Sequence, residues 1–140
     1  MTTPIDPLAA SMRMAARALD NQSARMRVVA ENLANAHSTG DRPGEAAFRR
    51  KLVSFREVTP DLAVPGVPHR IHADRTALPA THDPSHPAAD ENGMVLRPNV
   101  VPLVEVADMR EASRAFEANV QVMRQTRELI NATIDLLRNR

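Results

Sequence analysis

The chain has no cysteine, tryptophan or tyrosine, and its 140 residues include only three phenylalanines and four glycines. Without cysteine there is neither a disulfide framework nor a thiolate metal site. Aromatics make up 2% of the chain, and alanine supplies much of the 43% apolar content, so the area available for burial is small. A deep monomeric core is hard to build on that supply, which leaves apolar surface for other subunits to seal. Charge of one sign is also lacking. The formal net charge is +1, with four arginines against three acids in residues 1–40, eight basic against eight acidic in 41–102, and six against six in 103–140. A phosphate-binding surface needs a concentrated basic stripe, so no nucleic-acid partner is expected, and Arg49-Arg50-Lys51 reads as a short solvated patch. No stretch approaches the roughly 20 apolar residues of a membrane span. The opening MTTPIDPLAASMRMAARALD has no basic n-region and no unbroken apolar core. That predicts either a cytoplasmic protein or export by a route that removes no leader.

Proline and glycine divide what remains. Of eleven prolines, only Pro4 and Pro7 precede residue 43 and none follows Pro102, while all four glycines lie between Gly40 and Gly93. Two breaker-free segments, 1–40 and 103–140, therefore flank a middle of turn formers, 41–102. Asp6-Pro7 supplies a helix start, with Asp as cap and Pro at the first helical position. Leu8, Met12, Ala15, Leu19, Gln22, Met26, Val29, Leu33 and Ala36 then recur at alternating spacings of four and three. This 3.5-residue repeat over four heptads is a coiled-coil seam, on a helix of about 45 Å. Gln22 is its polar interruption and is expected to fix register. In the last segment Met109, Ala112, Phe116, Asn119, Met123, Thr126, Ile130, Thr133 and Leu137 repeat the pattern, and a second row, Ala115, Val122, Leu129 and Leu136, runs beside it at spacing seven. That face is wider than one partner helix requires, so more than one neighbour is expected.

The middle reads as two or three short extended pieces in a loop-rich scaffold. Phe48 to Val58 alternates as a strand with Phe48, Val53 and Phe55 as anchors. Asp90-Glu91-Asn92-Gly93 is a turn signal leading into a short strand, Met94-Val95-Leu96. Val64 to Pro68 and Pro79 to Pro87 are too proline-dense for helix or central strand. The histidines are the one constellation suggestive of chemistry: His69 and His72 are three apart, His82 and His86 four apart. Zinc would want two on one helix face with a rigid third ligand, and Pro68, Pro84 and Pro87 exclude a regular helix there. Exposed histidines in a polar loop are the expectation, with no catalytic, cofactor or metal residue. Nucleophile elbow, phosphate loop and dinucleotide fingerprint are all missing from the sequence.

Three stretches together carry a resemblance: ENLANAHSTG (31–40), THDPSHPAADENGMVLRPNV (81–100) and ASRAFEANVQVM (112–123). In order, spacing and total length they resemble the flagellar basal-body rod family, and the central box resembles its proximal-rod members. The departures are Phe116 and Met94, where that family usually carries Tyr, and Arg110-Glu111, which replaces a more apolar pair. The resemblance implies a mainly α fold, its terminal helices forming an antiparallel coiled-coil pair that packs with neighbouring subunits into a tube. It implies a structural role, as drive shaft and export channel, and no small-molecule substrate. Expected partners are copies of itself, other proximal and distal rod subunits, and components of the MS ring and export gate. The implied location is the periplasm-spanning rod, reached by type III export without a cleaved leader. The expected subunit-interface residues are Leu8, Met12, Ala15, Leu19, Met26, Val29, Asn32, Leu33 and Asn35 on the first helix. On the second they are Met109, Ala112, Phe116, Asn119, Val122, Met123, Leu129, Ile130, Leu136 and Leu137. Asn32 and Asn35 read either as the end of an assembly helix or as a plain helix stop with Asn at the cap. The rival readings are a sister rod component and a cytosolic helical export adaptor or chaperone. The adaptor would explain the heptads but not the three motifs.

Overall fold

The computed structural model describes residues 5–55 and 69–138. Helix α1, Ile5–Ala34, leads to strands β1 (Lys51–Phe55), β2 (His69–Ala73), β3 (Ala80–His82) and β4 (Met94–Leu96), and the chain closes with helix α2, Pro102–Arg138. Two long helices thus flank a middle of short strands and loops, as the distribution of breakers predicts. Helix α1 opens at Ile5, so Pro7 lies in its first turn and Asp6 falls inside the helix instead of capping it. The first-turn N–H groups have no intrahelical acceptor, so proline loses no bond there. Helix α2 opens on Pro102, whose fixed φ suits the first helical position.

The two helices pack along each other in antiparallel register. Asn32, near the end of α1, meets Glu105 at the start of α2; Arg25 meets Asp108 and Glu111; Met26 meets Ser113. Nearer the start of α1, Ala15 and Ala18 share a groove with Asn119 and Val122. Each step back along α1 is matched by a step forward along α2. Because α2 has 37 residues against 30 in α1, its last turns run past the start of its partner.

Every buried apolar residue is an alanine or a valine: Ala15, Ala24, Val28, Val29, Ala36, Ala47, Ala88, Val95, Val100 and Ala112 among the described residues. Small side chains let the helix axes approach closely, and the larger apolar residues are left outside. The seam also turns relative to a strict heptad. Leu33, expected to face inward, is 38% exposed, while its neighbour Asn32 is 1% exposed. A straight helix of 3.6 residues per turn drifts from a 3.5 repeat, and at this end the inward position passes to the polar residue.

The middle forms two separate antiparallel ribbons. In β1–β2 the register runs from Lys51 opposite Ala73 to Phe55 opposite His69, and in β3–β4 from Ala80 opposite Leu96 to His82 opposite Met94. Strand β4 occupies the expected Met94–Leu96. The turn before it closes through Gly93 N–H donating to the Asp90 carbonyl at 2.9 Å, and the Asp90 carboxylate accepts from the N–H groups of Asn92 and Met94 at 2.8 Å. Gly93 has φ of 73°, which only glycine adopts cheaply. Strand β1 lies inside the expected Phe48–Val58; residues 56–58, and the Val64–Pro68 expectation, lie outside the described residues. Four strands stand where two or three were expected. A two-stranded ribbon has only edges, so β3 tolerates the preceding Pro79. The loop reading of the histidines is corrected: His69 and His72 lie on β2 and His82 lies on β3, so of these four His86 alone is outside a strand.

Toward its end helix α2 runs beyond the described part of α1, and Ile134, Leu136 and Leu137 are 48%, 72% and 58% exposed. Hydrogen exchange on the dilute isolated chain should reflect this. Amides of residues 131–138 are expected to exchange at least about tenfold faster than those of 108–126, because helix without tertiary packing is marginal in water. Equal protection along the whole of α2 would contradict the overhang.

Candidate functional site

The most constrained place in the molecule is where the end of α1, the start of β1 and the first turn of α2 meet. Glu105 is completely buried there. Its Oε1 accepts from Arg50 Nε at 2.6 Å and its Oε2 from Asn32 Nδ2 at 3.0 Å. The Asn32 amide grips the backbone of Lys51 on both sides: Nδ2 donates to the Lys51 carbonyl and Oδ1 accepts the Lys51 N–H, each at 2.8 Å. It thereby imitates a strand neighbour for a residue at the head of β1. Asp108, one turn along α2, is 3.5 Å from Arg50 and 3.2 Å from Arg25, and Arg25 also reaches Glu111 at 3.2 Å. The Arg50 N–H donates to Asn99 Oδ1 at 2.7 Å, and Asn99 Nδ2 to Thr76 Oγ1 at 2.8 Å, which ties the loop after β2 to the same point. Lys51 pairs with Glu31 at the rim.

Arg49-Arg50-Lys51 is therefore not a solvated patch: Arg50 is an internal counter-ion. A carboxylate without water is tolerable only when paired and fully hydrogen-bonded, and Glu105 has both an arginine and an amide. Nothing here offers a nucleophile or a paired acid and base. The arrangement clamps three elements. Gln22, the expected register residue, has no partner for its buried amide oxygen among the described residues.

The rest of ENLANAHSTG ends the helix. Asn35 Nδ2 donates to the Glu31 carbonyl at 2.9 Å, and Ser38 bonds back to Asn35 through both its N–H and its hydroxyl. Gly40 permits a close crossing, since a Cβ there would lie 2.9 Å from the Glu45 carbonyl oxygen. His86 joins this corner. Its Nδ1 accepts the Ala88 N–H at 3.1 Å and its Nε2 lies 3.2 Å from Thr39 Oγ1. Asp74 is held below the usual carboxylate range by the Thr76 N–H, then by the Thr76 hydroxyl, with Arg50 and Arg49 adding attraction. Among the described residues no three acidic or imidazole groups come together as a metal site.

The expected interface residues fall into three groups. Ala15, Val29, Asn32 and Ala112 are buried against their own chain, which leaves no surface on them for another. Leu8, Met12, Leu19, Met26, Asn35, Met109, Phe116, Asn119, Met123 and Ile130 are half-buried along the helix pair. Leu33, Val122, Leu129, Leu136 and Leu137 are exposed. Within the second row on α2, Val122, Leu129 and Leu136 are thus exposed and Ala115 is half-buried, with Val122 at the edge of the groove that holds Ala15 and Ala18. Val101, Leu103 and Val104, at 57%, 79% and 45% exposure, and Met14, at 71%, extend the exposed apolar surface and were not singled out by periodicity. Glu105 and Arg50 were missed too. Continuing the α2 row four residues back from Met109 lands on Glu105, an acid within a seam, and that was the available signal.

Comparisons with known proteins agree with this geometry. The flagella basal body rod protein family matches residues 12–40, ending on Gly40, and the family described as flagellar basal body rod FlgEFG protein C-terminal matches residues 91–136. The chain is 49% identical over 138 residues to the flagellar basal-body rod protein FlgC of Agrobacterium fabrum, covering 96% of this chain and 98% of that one. It is 34% identical to the protein of the same name from Salmonella typhimurium, covering 88% and 92% of the two chains. The Bacillus subtilis counterpart is 32% identical, with 90% and 95% covered.

Removing one partner of the buried pair tests the clamp. Arg50→Ala strands the Glu105 carboxylate and is expected to cost on the order of 3 kcal/mol of unfolding free energy. Asn32→Ala, which leaves both Lys51 backbone groups without their partner, should cost about 1–3 kcal/mol. Truncating the exposed Leu129 to Ala should change stability by less than about 0.5 kcal/mol. Urea denaturation of the three purified variants gives the ranking, and equal midpoints would show that the clamp holds nothing.

Proposed function

The chain belongs to the flagella basal body rod protein family and is a structural subunit of the flagellar basal-body rod, and from that premise we propose how it assembles. It takes its place in the proximal part of the rod, and its exposed α2 stripe, Val122, Leu129 and Leu136 with Ile134 and Leu137 beside it, packs against neighbouring subunits. The observation that carries this reading is the exposed apolar surface of α2: Val122, Leu129, Ile134, Leu136 and Leu137 are exposed while the buried apolar residues among those described are all Ala and Val. Soluble monomers rarely expose contiguous apolar surface without a partner for it. Many such contacts around a tube make a stiff shaft suited to transmitting torque around an export channel. Other rod subunits, the MS ring and the export gate are its partners, and its place is the periplasm-spanning rod. It performs no reaction.

Two experiments test this. Leu129→Asp and Leu136→Asp each put a carboxylate into a contact meant to be dry, at a cost of several kcal/mol per interface. Both chains should fold and be exported at normal levels, disappear from detergent-resistant basal bodies and leave the cells non-motile. Normal swimming by either would show that the stripe is not an interface. Replacing His69, His72 and His82 together by Gln removes imidazole chemistry and should leave motility intact; loss of motility with normal assembly would point to a reaction after all.

A further inference from the structure

Two charged surfaces of the middle segment have no ion-pair partner among the described residues. The first is one face of the β1–β2 ribbon. The register sets Leu52 opposite His72 and Ser54 opposite Arg70, and residues two apart on a strand share a face, so these four lie together. A cleft of about 560 Å³ at its end is lined by Arg49, Arg75 and Asp74 among others. Arg49, Arg70 and Arg75 are exposed and form no ion pair among the described residues. The Arg49 guanidinium donates to the carbonyls of Thr76 at 3.0 Å and Asp74 at 3.5 Å, which hold it in place without neutralising it. Asp74 is the acid lining this cleft, so the face is positive.

The second surface is a cleft of about 440 Å³ on the β3–β4 ribbon. Ala80, Ala88, Met94 and Leu96 line it with the carboxylates of Glu45 and Asp90. Asp41 adjoins it, its N–H donating to Glu45 Oε2 at 2.8 Å, and Glu91 follows Asp90 in the turn. None of these four acids is ion-paired among the described residues. Apolar lining with carboxylates beside it suits an arginine, whose alkyl stem covers the apolar part while the planar guanidinium meets the acids. The two ribbons do not touch each other, so among the described residues neither surface neutralises the other.

We propose that the acidic β3–β4 cleft of one copy receives Arg75, with Arg70 beside it, from the β1–β2 face of a neighbouring copy. The contact joins two different surfaces of the same chain, so it propagates from subunit to subunit instead of closing a pair. It rests on the rod reading, and it adds an electrostatic contact in the middle segment that fixes how neighbours are oriented. Both charges come from one sequence of net charge +1, which is why a second copy is the occupant.

The test uses cells in which the altered chain is the sole copy. Arg75→Glu and Glu45→Arg should each cut the spread of a swimming halo at least about tenfold, since each sets like charges against each other in a repeated contact. The double variant, with the charges exchanged, should return to within about twofold of the unaltered chain. Glu45→Gln, which keeps an acceptor for the Asp41 N–H and loses only the charge, should give a partial loss. Thermal melting of the purified Arg75→Glu and Glu45→Gln chains should be unchanged. Because the sequence contains no cysteine, Glu45→Cys combined with Arg75→Cys should give disulfide-linked multimers when isolated basal bodies are oxidised, and either alone should give none. Normal halos in both single reversals would overturn the proposal. So would a double variant that stays immotile and a cysteine pair that never cross-links, the result expected if a different rod protein fills the cleft. If the unaltered chain were missing from basal bodies, the rod reading itself would fall.

Discussion

The Glu105 carboxylate has no contact with water, and the rest of the fold is arranged around keeping it satisfied. An ion of this size pays several kcal/mol to leave water, and Arg50 and Asn32 supply the opposite charge and the hydrogen bonds that offset this. Arg50 belongs to the approach to β1, Asn32 to the last turns of α1 and Glu105 to the first turn of α2. One residue therefore makes the positions of three elements interdependent. A buried ion pair need not stabilise more than a well-packed apolar trio would, but it specifies. A seam of alanine and valine looks much the same after a slip of one heptad, whereas the same slip would carry Glu105 away from Arg50 and leave both without partners.

Small residues inside and large ones outside reverse the usual economy of a globular domain. Alanine and valine bury little area each, and the helices gain closeness from them more than hydrophobic free energy. Leucine, isoleucine and methionine, which would contribute most if buried, lie on the flanks and on the overhang of α2. The chain thus holds its shape by a polar clamp at one end and reserves its strongest apolar surface for contacts it cannot make with itself. For a subunit whose work is to be packed, this separates folding, which rests on Glu105 and its neighbours, from the assembly we propose for Val122, Leu129 and Leu136.

Periodicity and punctuation made much of this legible. The two long helices follow from the breaker-free segments, the Asp90–Gly93 turn and β4 from turn chemistry, and the exposed Val122, Leu129 and Leu136 of α2 from their heptad spacing. What stayed hidden shares one feature, dependence on a partner far away in sequence. Asn32 looks like a capping residue until Lys51 and Glu105 arrive beside it. Arg50 looks solvated because its counter-ion is 55 positions away. Strand β2, HRIHA, carries three basic or imidazole groups in five residues and just Ile71 and Ala73 as an apolar face, too short a signal to mark a strand without its pairing with β1.

The stretch ENLANAHSTG shows how local and distant demands share a few residues. Glu31 pairs with Lys51 and its carbonyl takes the Asn35 amide, so the helix ends under control of its own last turn. Asn32 faces inward and binds backbone and carboxylate, while the adjacent Leu33 faces outward. Gly40 then lets the chain cross close to Glu45, whose carboxylate helps line the acidic cleft. A plain helix stop would need only the Asn35 cap. The inward amide and the close crossing go further, placing β1 and the acidic cleft in fixed relation to the helix pair. A subunit that packs by both its helices and its middle segment needs that relation held the same in every copy.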